Sequence, residues 1–196
     1  MRNLKKINRK EQIIDESINI INSRGISGLS IRELAAHCNI TEGAIYRHFN
    51  SKNEIIEGIF DKIQETSKNL FKELEKIERI KDKLKYFIFF NLELFDNNRE
   101  LVSIMFYDEI FENNKSIVIK LAKIKKQRHA ILSNILKAGS ENNIFKNYDN
   151  NIISKMIQGY LRLTITGWRN NGYKFSLIKN GEEFYATLEK ILLNSE

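Results

Sequence analysis

Between residues 30 and 54 the chain signals the start of a helix three times. Ser30-Ile31-Arg32-Glu33 is a capping box, with Leu29 and Leu34 in its hydrophobic-staple positions. Thr41 is a second N-cap, and Ile40 and Ile45 form the same kind of staple around it. Ser51-Lys52-Asn53-Glu54 repeats the box. Starts so close together leave room only for short helices and tight turns. The turn at Cys38-Asn39-Ile40 needs a left-handed residue, a place commonly filled by glycine in helix-turn-helix units. Asn39 is the best substitute, because its short amide tolerates that conformation.

The rest of the chain offers little that would interrupt a helix. Its 196 residues contain no proline and nine glycines, and 42% are hydrophobic, enough for a real core. Residues 9–24 place Ile14, Ile18 and Ile21 at helical spacing before Gly25 stops the run. From Lys52 to Ile77, the positions Ile56, Ile59, Phe60, Ile63, Leu70, Phe71, Leu74 and Ile77 describe one helix. Its length would be roughly 39 Å, enough to join a small head to a separate body. Further helices are expected near 81–96, 99–112, 116–138, 150–171 and 181–194, separated by Asn- or Gly-containing breaks. In the 116–138 segment Ile117, Leu121, Ile124, Ile131 and Ile135 follow a bundle-like spacing. In the next segment Ile153, Met156, Ile157, Tyr160, Thr164 and Trp168 share a face. The expected fold is all-α with about nine helices.

Within TEGAIYRHFNSK, residues 41–52, direction sorts the side chains. Ile45 and Phe49 lie four apart and face inward, so Glu42, Gly43, Tyr46 and Arg47 point outward together. Gly43 costs about 1 kcal/mol of helix stability relative to alanine, a loss that makes sense where a backbone must approach a partner closely. The major groove admits one α-helix, read from its N-terminal residues. Arg47 can bond a guanine or a phosphate, while Tyr46 and His48 can donate to phosphate oxygens. Lys52 and the amides opening its helix make an anion site. Ser30, Thr41 and Ser51 are first of all caps, with a phosphate contact as a second role.

Charge agrees with this direction. The net charge is +7, and residues 1–52 hold nine bases against five acids, leaving +4. Arg2, Lys5, Lys6, Arg9 and Lys10 form a basic arm for which nucleic acid and bulk solvent are the competing partners. The bases at Lys120, Lys123, Lys125, Lys126 and Arg128 read as a solvated face.

The arrangement Gly25, Ser30-Ile31-Arg32-Glu33-Leu34-Ala35, Thr41-Glu42-Gly43-Ala44-Ile45-Tyr46-Arg47-His48-Phe49, Ser51-Lys52 resembles the N-terminal domain of the TetR family of transcriptional repressors. Asn39 departs from the glycine usual in that family. The resemblance covers residues 9 to about 60 and implies a three-helix DNA-binding domain, residues 1–52. A long helix would join it to a helical effector-binding and dimerisation bundle, residues 53–196. The candidate DNA-contacting residues are Ser30, Arg32, Thr41, Glu42, Gly43, Ala44, Tyr46, Arg47, His48 and Lys52.

The resemblance also implies a homodimer that packs its last two long helices as a four-helix bundle, with Ile153, Tyr160, Thr164, Leu188 and Ile191 as interface candidates. Two recognition helices would then reach the half-sites of a palindromic operator, one turn or roughly 34 Å apart. A small-molecule effector, apolar or aromatic, would bind in the body and release the DNA. The aromatic density of residues 60–111 suggests a lining drawn from Phe60, Ile63, Phe87, Phe90, Phe106 and Trp168, with plain core packing as the alternative for each. A ligand-insensitive regulator or activator is the alternative function.

Other classes are poorly served. One cysteine, Cys38, precludes an intrachain disulfide, and its place in an apolar helix pattern suits a small buried thiol. Three histidines at no metal spacing, and no HExxH, P-loop or nucleophile elbow, argue against an enzyme, a metal site or a cofactor. No signal peptide or membrane span is expected, and the cytoplasm is the expected compartment.

Overall fold

The computed structural model describes residues 8–106 and 114–193. Bases 2, 5 and 6 of the basic arm, and Tyr107 and Phe111, therefore lie outside the described residues. Nine helices are found among those described: α1 (Arg9–Gly28), α2 (Ile31–His37), α3 (Glu42–Tyr46), α4 (Lys52–Lys76), α5 (Ile80–Asn97), α6 (Leu101–Phe106), α7 (Lys115–Glu141), α8 (Asn150–Asn170) and α9 (Leu177–Leu192).

The three start signals act as the sequence reading expects. Ser30, Thr41 and Ser51 have extended backbones, and their hydroxyls accept from the amides of Glu33, Ala44 and Glu54. Leu29, Leu34 and Ile45 are buried, so each cap is held against the core. The turn residue Asn39 has φ of 54°. Gly25 has φ of 70°, a left-handed kink near the end of α1, but one further turn of helical residues carries α1 to Gly28 rather than ending at 24.

The helix that starts behind the Thr41 cap is short, Glu42–Tyr46, and ends before the inward Phe49. Beyond Tyr46 the Ile45 carbonyl accepts from both the His48 amide (2.9 Å) and the Phe49 amide (3.1 Å), which tightens the last turn. The segment expected over 99–112 is described as helix only over Leu101–Phe106, and the last helix begins earlier, at Leu177 behind the Ser176 cap.

α1 packs on α2, α4 and α6, while α4 runs from this cluster into contact with α5 and α7. In the body α5 lies among α7, α8 and α9, and α8 touches α6, α7 and α9. Gly181 permits the α5–α9 approach: a Cβ there would lie 2.3 Å from Leu92 Cδ1. Phe71, expected on the inward stripe of α4, is instead 53% exposed. On α8, Ile153, Ile157, Leu161, Ile165 and Trp168 form the buried stripe, while Met156 turns outward. Met156 lies at one edge of the face counted from the sequence, and the buried arc is centred toward the other edge, where Leu161 and Ile165 sit.

Candidate nucleic-acid interface and body cavity

α3 is held from below and open above. Ile45 and Phe49 are buried at 0% and 2% exposure, and Cys38 is buried beside them. Burial raises the Cys38 thiol above its ordinary range, with Glu16 adding to the effect and Arg9 opposing it. On the other side Thr41, Glu42, Gly43, Tyr46, Arg47 and His48 are exposed, and Ala44 is half-buried. Tyr46 shows 53% of its surface to solvent, unusual for a tyrosine with a core beside it. A methyl group added at Gly43 would meet nothing of the chain closer than Thr41 Oγ1 at 3.9 Å. The fold itself therefore does not require glycine at this position.

Ser30 and Arg32 are exposed at the start of α2, on the neighbouring rim. Lys52 sits differently from its neighbours: its Nζ donates to the Ile26 carbonyl at 3.2 Å, tying the start of α4 to the end of α1. Glu33 pairs with Arg24 and lies 3.3 Å from His37 Nε2, so the acid of the first capping box also braces the α1–α2 corner. Lys10 lies over the Phe49 ring at 5.1 Å.

The body contains a cavity of about 280 Å³. α5 contributes Phe87, Asn91 and Phe95, and α6 contributes Met105 and Phe106. α7 contributes Lys125 and Arg128, and α8 closes the space with Gln158, Gly159, Leu161, Arg162 and Ile165. Phe95 and Phe106 pack with centroids 5.1 Å apart. Arg162 donates to the Phe106 carbonyl at 3.0 Å and so fixes the end of α6 to α8. Gln158 bonds His129 Nδ1 at 2.9 Å and Ser154 Oγ at 2.9 Å on the rear of the same wall.

Of the candidate pocket residues, Phe87 and Phe106 line this cavity. Phe60 and Ile63 are buried in α4, and Phe90 is half-buried beside Tyr86, with ring centroids 5.9 Å apart. Trp168 fills a different place. Its Nε1 donates to the Phe175 carbonyl at 2.8 Å, and its ring meets Tyr173 edge-on at 4.7 Å with Arg99 over both.

The basic run on α7 is not one solvated face. Lys120 pairs with Asp61 at 2.7 Å, and Arg128 is buried, 9% exposed. Its Nε and Nη2 have no hydrogen-bond partner among the described residues. Desolvation pushes this guanidinium down to about 10, still protonated at neutral pH. A signal for it was present in the sequence: position 128 continues the apolar row of Ile117, Leu121 and Ile124, where an arginine is out of place.

Of the interface candidates, Ile153 and Leu188 are buried in the subunit's own core. Tyr160 is half-buried, stacks on Phe184 at 3.7 Å and donates to the Asn180 carbonyl, while Thr164 is half-buried. Ile191 is 42% exposed. The large apolar side chains that α8 leaves in solvent are Ile152, Met156 and Leu163. No described helix is long and apolar enough to cross a membrane, and no group of three potential metal ligands occurs among the described residues.

A capped helix-turn-helix with one face of α3 exposed, carried on an all-helical body, is the architecture of a DNA-binding regulator. Residues 13–59 match the tetR family of bacterial regulatory proteins, and residues 59–191 match the C-terminal region of YsiA-like proteins. The chain belongs to the TetR family. It is 26% identical over 171 residues to the fatty acid metabolism regulator protein of Bacillus subtilis, spanning 85% of this chain and 87% of that protein. Its fold superimposes on the fatty acid degradation regulator FadR from Bacillus halodurans with a TM-score of 0.82, at 21% identity, over 94% of this chain and 96% of that one. It also superimposes on FadR from Bacillus subtilis in complex with stearoyl-CoA, with a TM-score of 0.78 at 23% identity, over 91% and 96% of the two chains.

Proposed function

We propose that this protein is a cytoplasmic homodimeric repressor that binds a palindromic operator through α3 and releases it when an acyl compound enters the body cavity. The observation that carries the DNA half is Gly43, open to solvent among Tyr46, Arg47 and His48 where the fold has no need of a glycine. Glu42, Gly43 and Ala44 would lie nearest the base edges, with Arg47 reaching a base or a phosphate. Ser30, Arg32, Thr41, Tyr46, His48 and Lys52 would hold the phosphates on either side.

Dimerisation would use the stripe Ile152, Met156, Gly159, Leu163 and Gly167 of α8, extended by Ile191 of α9. The spacing of four, three, four and four keeps that stripe on one side of the helix. A Cβ at Gly159 or Gly167 would meet nothing within 4 Å, so a partner helix could approach closely there.

The cavity offers a route from ligand to DNA. α6 lines it through Met105 and Phe106 and reaches back to α1, which packs on α2 and α4. On the far side α7 holds the start of α4 through Lys120 with Asp61, and through Ser116 with Glu57 at 2.7 Å. A ligand that shifts α6 and α7 would tilt α1 and α4 and so change the separation of the two α3 helices. It must favour the non-binding arrangement, typically by about 1–3 kcal/mol. The acyl character of the ligand is suggested by the fatty acid regulators that the chain is similar to.

The test is fluorescence anisotropy of labelled DNA from beside the protein's own gene, at about 100 mM salt. Acyl-CoA esters and free fatty acids of graded length are then added. Release by members of either series supports the reading, whereas DNA binding that no acyl compound alters makes this a ligand-insensitive regulator.

A further inference from the structure

The cavity among α5, α6, α7 and α8 is apolar on most of its wall, yet a guanidinium is built into it. Arg128 stands on the inward row of α7, four residues from both Ile124 and Leu132, which are 1% and 0% exposed. A long cation at such a place ordinarily meets a carboxylate, because an unpaired charge is expensive to bury. Among the described residues Nε and Nη2 have no hydrogen-bond partner, and no lining residue is acidic. The polar neighbours do not substitute. Asn91 Nδ2 donates to the Phe87 carbonyl at 2.6 Å, and the Gln158 amide nitrogen is engaged by Ser154 and His129. Arg162 is occupied at the Phe106 carbonyl.

Two adjacent donors on one guanidinium edge match the two oxygens of a carboxylate, the geometry in which arginine binds most strongly. Around them Phe87, Phe95, Met105, Leu161 and Ile165 supply apolar wall for a hydrocarbon body. At about 280 Å³ the space lies just below the usual range of ligand pockets, roughly 300 to 1,000 Å³. That scale suits a medium-length free acid and is too small to enclose a coenzyme A moiety.

We propose that the cavity takes a free monocarboxylate with an aliphatic body, its carboxylate turned inward onto Nε and Nη2 of Arg128. The inference rests on the cavity being the effector site and adds the ligand's chemical class and orientation. Head-inward binding is opposite to that of an acyl thioester, whose neutral chain would enter first and leave the charged group outside.

The probes are octanoate, octanol and octanoyl-CoA, titrated by calorimetry into the full-length protein and into Arg128→Met. The wild-type protein is expected to bind octanoate at least tenfold more tightly than octanol. In Arg128→Met that preference is expected to vanish while octanol still binds. Equal affinity of the wild-type protein for octanol and octanoate overturns the proposal, and this comparison needs no variant. So does an octanoate preference that survives in Arg128→Met, an absence of octanoate binding up to millimolar concentration, or tighter Arg128-dependent binding of octanoyl-CoA. Operator release is read separately by anisotropy. Arg128-dependent octanoate binding that leaves the DNA complex intact would keep the site and remove its role as the repressor's effector pocket.

Discussion

Ser103 on α6 donates a hydrogen bond to Asn22 on α1 at 3.2 Å, joining a helix that lines the body cavity to the first helix of the helix-turn-helix cluster. Ser103 is buried, 4% exposed, while Asn22 is half-buried. Ser103→Ala should therefore cost about 1 kcal/mol of stability. Its larger effect should be on coupling: ligand-induced loss of DNA affinity should shrink by roughly 0.5–2 kcal/mol. Anisotropy titrations with and without ligand measure that difference. A variant with unchanged ligand response would assign the coupling to α4 and α7 instead.

Gly43→Ala separates folding from DNA binding. The added methyl has open space, so thermal stability should rise by up to about 1 kcal/mol. Operator affinity should fall about tenfold or more, because a methyl would stand between α3 and the groove. Paired melting and binding measurements decide it, and an unchanged affinity would place the closest DNA approach elsewhere on α3.

The helix-turn-helix was legible because its signals are local. The Ser30, Thr41 and Ser51 caps, the inward Ile45 and Phe49, and the left-handed Asn39 each act within a few residues. The body was legible as helices but not as surfaces. Phe71 and Met156 sit on apolar rows and still face solvent, since which side of a helix is covered depends on partners distant in sequence. Ile153 and Leu188 are interface candidates by spacing, and the subunit's own core already buries them. Arg128 was grouped with neighbouring lysines by composition, although its register placed it inward.

Asn39→Gly should be stabilising. The position has φ of 54°, where a Cβ is unfavourable and glycine carries no such cost. A gain of about 0.5–1 kcal/mol would raise the melting temperature by roughly 1–4 °C for a chain of this size. A lower melting temperature would mean that the asparagine side chain contributes more than its backbone costs.

Arg128→Met should stabilise the ligand-free protein. Burial holds the guanidinium down at about 10, corresponding to roughly 3 kcal/mol against the folded state. Because the folded value is the lower one, that penalty is fully present at every pH below about 10 and is relieved only above it. The gain in the variant, on the order of 1–3 kcal/mol, should thus be the same at pH 6 and pH 8 in denaturant melts. A destabilised variant would show that Arg128 makes a favourable interaction in the resting protein.

The proposed DNA-reading surface is α3, and the most direct measurement of it is binding of DNA from beside the gene by the wild-type protein and Arg47→Ala. The wild-type protein should bind that DNA at least about 10³-fold more tightly than unrelated sequence. Arg47→Ala should lose about 1–3 kcal/mol at one base position per half-site, or flatten the salt slope by about one if it holds a phosphate. Wild-type binding no tighter than to unrelated DNA, or an Arg47→Ala protein with the parent's affinity, specificity and salt slope, would contradict it.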